Sequence, residues 1–150
     1  MNTEVIREKL KDSKLTSNYF LDVYAVDQLP KQKIERDAWL LVCNCCPISL
    51  PGEHWVAMFG SKEGIDFFDS FGLAPNLYNG VDEFLRVQKP RSVNYNSQRV
   101  QSFDSDACGQ YCIYFSHQRA RGVSMNRIVH HFFTNMKRDE YIKLYVDVMM

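Results

Sequence analysis

An α+β domain is what the sequence predicts: a mixed central β-sheet packed against a buried helix that bears a candidate nucleophile, with additional helices C-terminal to it. Three observations carry that expectation. Apolar runs of strand length ("AWLLVCNCCPI", "HWVAMFG", "IDFFDSFG") crowd the middle of the chain. From Cys108 onward apolar residues recur at helical spacing. And 150 residues suffice to bury a real core, so that residues 1–150 read as one domain.

The elements follow in order. "MNTEVIREKLKDSK" reads as a short amphipathic helix with Val5, Ile6 and Leu10 inward. "NYFLDVYAVDQLP" is aromatic and apolar with a proline stop, an ordered crossing segment. "AWLLVCNCCPI" is a buried strand, continuous because both its faces are covered, and ended by Pro47. After the loop "SLPGE", two strand-like runs joined by "SKEG" form an antiparallel hairpin. The loop "LAPNLYNG" leads to a short helix at Val81 to Val87 and a strand near "RSVNYNS". The helix over 108 to about 120 is apolar on nearly every side (Tyr111, Cys112, Ile113, Tyr114, Phe115), which makes it central. Arg119 and Arg121 in its last turn, then Gly122, stop it. Ser124 caps the next helix, with Met125, Ile128, Val129 and Phe132 inward, and Tyr141, Leu144, Tyr145 and Val148 repeat that pattern in the last one.

Composition excludes several classes. With 45% hydrophobic and 24% charged residues the chain is neither disordered nor fibrous. Lys plus Arg (18) equals Asp plus Glu (18), so no global field draws it to nucleic acid or an anionic membrane, although a local basic patch can form around Arg119 and Arg121. The N-terminus lacks the apolar core of a signal peptide, and no apolar run approaches the roughly 20 residues that span a bilayer. Five cysteines, an odd number with three in "CNCC", do not make a disulfide framework. The expectation is an intracellular, reduced setting rather than secretion.

Chemistry concentrates at "SDACGQYC". Ser105 and Asp106 are natural N-cap residues, which puts Cys108 in the first helical turn. There unpaired N–H groups and the macrodipole favour a thiolate. Gly109 leaves room for a substrate backbone. Taken alone, Cys108 reads equally well as a small hydrophobe tucked under the helix start.

A nucleophilic thiol needs a base. His54 opens a strand and so sits at a sheet end, whereas His117 lies more than two turns into the cysteine's own helix, and His130 and His131 share a later amphipathic helix. If "SKEG" is a four-residue loop, Gly60 pairs with Ile65, and Asp69 falls opposite Val56, diagonal to His54 on the same face. Diagonal neighbours lie about 7–8 Å apart, a gap two side chains can close. Asp66 would face Phe59 on the other side, so Asp69 is the better partner for the imidazole. For an oxyanion the helix-start amide of Cys108 is one donor; Gln98 and Gln101, both in the preceding loop, are side-chain candidates for a second.

"EHW", "FFDSFG" and "QSFDSDACGQYC" together resemble the adenovirus-type (adenain-like) cysteine proteases, especially their relatives in Polinton or Maverick elements and related viruses, in the same clan as the SUMO-specific proteases. The resemblance covers about residues 18 to 116 and includes "NYFLDVYAVDQLP", like the segment beside the substrate cleft. It implies a papain-like catalytic layout with His54, Asp69 and Cys108 as the catalytic residues, Gln101 in the oxyanion hole, and Trp55 as a substrate-binding residue. It departs in two places: the acid is Asp where the adenovirus enzymes have Glu, though the SUMO-specific proteases use Asp, and Asp22 stands where the adenovirus enzymes have glycine.

The implied activity is a thiol endopeptidase that cuts capsid or other structural precursor proteins at small-residue sites, in a host nucleus or cytoplasm or in the virion. The adenovirus enzymes are activated by DNA and by a disulfide-linked peptide. Here zero net charge gives nucleic acid no support, and the thiols of "CNCC" sit in a strand expected to be buried, so no obligate peptide activator, no cofactor and no membrane partner are expected. Other readings compete. Cys43, Cys45, Cys108, Cys112 and His117 could form a zinc site, but no CxxC knuckle is present, so no metal is expected. A non-enzymatic interaction domain could keep the fold, and the same chemistry could remove ubiquitin-like modifiers.

Overall fold

In the computed structural model the described residues are 1–45, 54–134 and 137–150. Five strands form one sheet in sequential order: β1 (Phe20–Ala25), β2 (Trp39–Asn44), β3 (Trp55–Ser61), β4 (Gly64–Phe68) and β5 (Val93–Tyr95). The outer pairs β1–β2 and β4–β5 are parallel, and the inner pairs β2–β3 and β3–β4 antiparallel. The helices are α1 (Thr3–Asp12), α2 (Val81–Gln88), α3 (Cys108–Ala120), α4 (Met125–Phe133) and α5 (Arg138–Met149). This is the mixed α+β architecture that the pattern of apolar runs predicts.

Both faces of the sheet are buried at its centre, which is why β2 reads as an unbroken apolar run, whereas the edge strand β5 is exposed. Leu40, Val42, Ala57, Phe59 and Phe68 meet α1, α3, α4 and α5 on one face. On the other, Leu41, Cys43, Val56, Met58 and Phe67 pack against Val81, Phe84 and Leu85 of α2. On the first face Phe68 stacks on Phe115 of α3, rings 4.9 Å apart and 6° from parallel. Such a pair adds about 0.5–1.5 kcal/mol beyond its burial, and it pins α3 to the strand that ends just before Asp69. Gly60 is needed where β3 passes Trp39: a Cβ there would fall 2.1 Å from the indole.

The hairpin register is the expected one, with Gly60 opposite Ile65 and Phe59 opposite Asp66, but pairing continues to Ser61 and Gly64, so the turn is two residues rather than four. Positive φ at Gly64 (142°) accommodates it. The crossing segment proves to be an edge strand, β1, followed by a 3₁₀ turn at Val26–Gln28.

Three further expectations need correction. Ser105 and Asp106 do not cap α3: Ser105 Oγ accepts the Ala107 N–H (3.1 Å), closing a turn before the helix, while Asp106 pairs with Lys143 of α5 (3.1 Å), leaving Ala107 at the cap. In α5 the buried residues are Ile142 and Val146; of the expected stripe Tyr145 packs against the core, while Tyr141, Leu144 and Val148 are exposed. And Arg119 is no free basic group, because its Nε pairs with Asp66 at 3.0 Å while its guanidinium lies over Phe59. The α3 stop is as expected, with Gly122 left-handed (φ 86°) and Val123 N–H reaching back to Gln118. Among the described residues no helix is long and apolar enough to cross a membrane.

Candidate active site

The end of β4 and the start of β3 bring Asp69 beside His54. His54 Nε2 lies 2.7 Å from Asp69 Oδ1, and the carboxylate is fully buried. Asp66, the rejected candidate, is on Arg119 instead. Asp69 is itself held from several sides. Its Oδ1 also accepts the Phe71 N–H (2.9 Å), Oδ2 accepts the Tyr78 hydroxyl (2.5 Å), and Asn96 brackets its backbone, accepting from Asp69 N and donating to Asp69 O. A buried carboxylate needs such donors, because an unpaired one is costly to hide from water. The His54 ring stacks on Phe71 at 4.2 Å, 8° from parallel.

With Nε2 committed to Asp69, Nδ1 is the free nitrogen of the ring: it is buried and has no hydrogen-bond partner among the described residues. Burial works against a charged ring, but the bond to Asp69 and then the contact with Cys108 outweigh it and raise the His54 pKa to about 9. Cys108 opens α3 and is 3% exposed. Burial pushes its pKa up; contact with His54, then the backbones of Trp55 and Gly109, win and leave it below the ordinary thiol value. The two shifts together favour a thiolate–imidazolium pair.

The other thiols differ in kind. Burial, with Asp27 adding to it, pushes Cys43 up to about 12, and burial pushes Cys112 well up. Cys45 is only partly buried, so the expectation of a wholly buried upstream cluster holds for Cys43 and not for Cys45. Cys46 lies outside the described residues. Among the described residues no three His, Cys, Asp or Glu side chains gather as a metal site would require.

Gln101 is 1% exposed. Ser70 Oγ donates to its Oε1 (2.6 Å), fixing the amide's orientation, and its Nε2 donates to Ser105 O (2.8 Å), which leaves the second N–H of that nitrogen for another acceptor. Gln98 is exposed. Trp55 is 6% exposed and belongs to the core cluster around Cys108, so little of its ring is open to a substrate. His117 is bonded to Tyr145 on the far part of α3, and His130 and His131 lie on α4. Tyr78 and Asn96 are the site residues that sequence reasoning missed; both act on Asp69 from loops with no local motif.

No protein-family model and no curated protein matches the chain. Solved structures do, and they share its fold. The crystal structure of ASFV pS273R protease superposes with a TM-score of 0.63 at 19% identity, over 97% of this chain and 65% of that one. The selenomethionine form of ASFV pS273R protease gives 0.54 at 24% identity, over 73% and 43%. This chain thus spans less than two thirds of the length of the proteins it resembles.

Proposed function

We propose that this chain is a cysteine endopeptidase using Cys108, His54 and Asp69, with Gln101 as an oxyanion donor. The observation that carries the reading is the anchoring of His54 Nε2 on buried Asp69, which leaves Nδ1 for the Cys108 thiol, whose pKa contact with His54 depresses. Sharing a fold with ASFV pS273R protease supports the same class.

The chemistry follows from those groups. The Cys108 thiolate attacks the scissile carbonyl carbon, and the C=O π pair moves to oxygen. The Cys108 amide and Gln101 Nε2 stabilise that oxyanion without reorganising. As the oxyanion collapses and the C–N bond breaks, His54 gives its proton to the leaving amine, and a thioester remains on Cys108. Water then attacks the thioester, His54 takes its proton, and collapse to the carboxylic acid expels the Cys108 thiolate, which regenerates the thiolate–imidazolium pair. Asp69 holds the ring in place and stabilises its charged form throughout.

For substrate, the resemblance to adenovirus-type enzymes favours structural precursors of a virus or virus-like element, cut at small-residue sites. Incubation with candidate capsid precursors and with ubiquitin-like fusions tests this. Cleavage of precursors that Cys108→Ala abolishes supports the reading; clean cleavage of the fusions alone overturns the substrate, and no cleavage of any peptide overturns the activity.

A further inference from the structure

We propose that Arg99 is a positioning residue that locks the oxyanion loop to the ring behind the base. The inference rests on the endopeptidase reading for its consequence, but not for its geometry.

Four groups are linked by ring contacts. His54 covers one face of Phe71 at 4.2 Å, nearly parallel. The Arg99 guanidinium lies 4.3 Å from the Phe71 centroid, and because the imidazole occupies one face it takes the other. Phe103, 90% exposed, also has the guanidinium over its ring, 4.1 Å from the centroid. A cation over an aromatic face is held by the ring quadrupole, and two rings around one guanidinium fix its plane.

The fork of that guanidinium is used on the backbone. Nε donates to Gln101 O (2.8 Å) and a terminal nitrogen to Ser102 O (3.3 Å). Two consecutive carbonyls are therefore turned toward Arg99, which sets the peptide planes on either side of Ser102. The Gln101 side chain is anchored by Ser70 Oγ and by the Ser105 carbonyl, and because that carbonyl belongs to the same loop the amide plane depends on where the backbone stands. The turn at Asp69–Gly72 abuts the same segment: a Cβ on Gly72 (φ 73°) would fall 2.5 Å from the Gln98 carbonyl carbon and 2.7 Å from Arg99 N. Ser70 O accepts both Val100 N (2.9 Å) and Gln101 N (3.1 Å). Backbone contacts thus join the acid's turn to the loop at Val100 and Gln101. Arg99 extends that join one residue further, to Ser102, and ties it to the base through Phe71.

A lysine could keep the charge but not the two-pronged, planar contact, so charge and fork are separable. Amide hydrogen exchange and kinetics of wild type, Arg99→Ala and Arg99→Lys test the proposal. Both variants should speed exchange of the amides between Ser102 and Ala107 by about tenfold or more while β3 and β4 stay as protected as in wild type. Both should lower kcat by about tenfold, less than the roughly 10²–10³ lost with a whole oxyanion donor, with KM nearly unchanged. The pH profile of Cys108 alkylation should not move, since the ion pair does not need the oxyanion loop. Unchanged exchange overturns the inference whatever the activity, and so does Arg99→Lys behaving as wild type. Faster exchange with wild-type kcat, or an alkylation profile that shifts with kcat, overturns it equally. Faster exchange in a protein that hydrolyses nothing would leave the clamp standing and sink the endopeptidase reading instead.

Discussion

Tyr78→Phe removes one oxygen and keeps the ring. The aromatic contacts of Tyr78 with His54 (6.0 Å) and Phe67 (6.3 Å) survive, so the change isolates the hydroxyl's bond to Asp69 Oδ2. That oxygen belongs to a carboxylate with no solvent exposure, and His54 and the Phe71 amide both sit on Oδ1. Removing the donor therefore leaves Oδ2 desolvated without compensation. Hydrogen bonds to charged groups contribute about 1.5–3 kcal/mol, and here the full range applies because water has no access. At about 2–4 °C per kcal/mol for a chain of this size, Tm should fall by about 3–12 °C. Denaturant unfolding at neutral pH in a Cys108→Ala background, which prevents self-digestion, measures the difference. A Tyr78→Phe protein within about 0.5 kcal/mol of its parent would refute the claim that Tyr78 stabilises the buried acid.

Other perturbations read other parts of the site. Iodoacetamide at neutral pH should modify Cys108 well before Cys43, pushed up to about 12, and before Cys112; mass spectrometry of the labelled peptides gives the order. Gln101→Ala should cost about 10²–10³ in kcat while Gln98→Ala, on an exposed side chain, changes almost nothing in the same peptide assay. The pH–rate profile should rise as Cys108 ionises below the ordinary thiol range and fall as His54 loses its proton near 9. The sign is fixed by the chemistry: the thiolate appears as pH rises, whereas a pKa raised above the free value keeps the imidazolium present until pH passes about 9.

Much of the sheet was legible because strand pairing is governed by a period of two. Placing Gly60 opposite Ile65 was enough to put Asp69 rather than Asp66 near His54, and extending the pairing to Ser61 and Gly64 shortened the turn without changing the register. The start of α3 at Cys108 was legible from the change from polar to apolar residues, but its cap was not: Ser105 turned to Ala107, and Asp106 was taken by a lysine 37 residues away. Periodicity likewise announced α5 without saying which stripe faces inward; Ile142 and Val146 are as helical in spacing as Leu144 and Val148, and only packing against α3 chooses. Tyr78, Asn96 and Arg99 were illegible for the same reason. Each acts across the fold on a group that its own neighbours in sequence do not reveal.

Whether Cys108 is an ion-paired thiolate is measured most directly by its alkylation rate as a function of pH, read on its own peptide in wild type and in His54→Ala. In wild type the rate should level off below the ordinary thiol pKa of about 8.5, and His54→Ala should move the inflection upward. Coincident profiles inflecting at the ordinary value would contradict the pairing of Cys108 with His54, and with it the proposed chemistry.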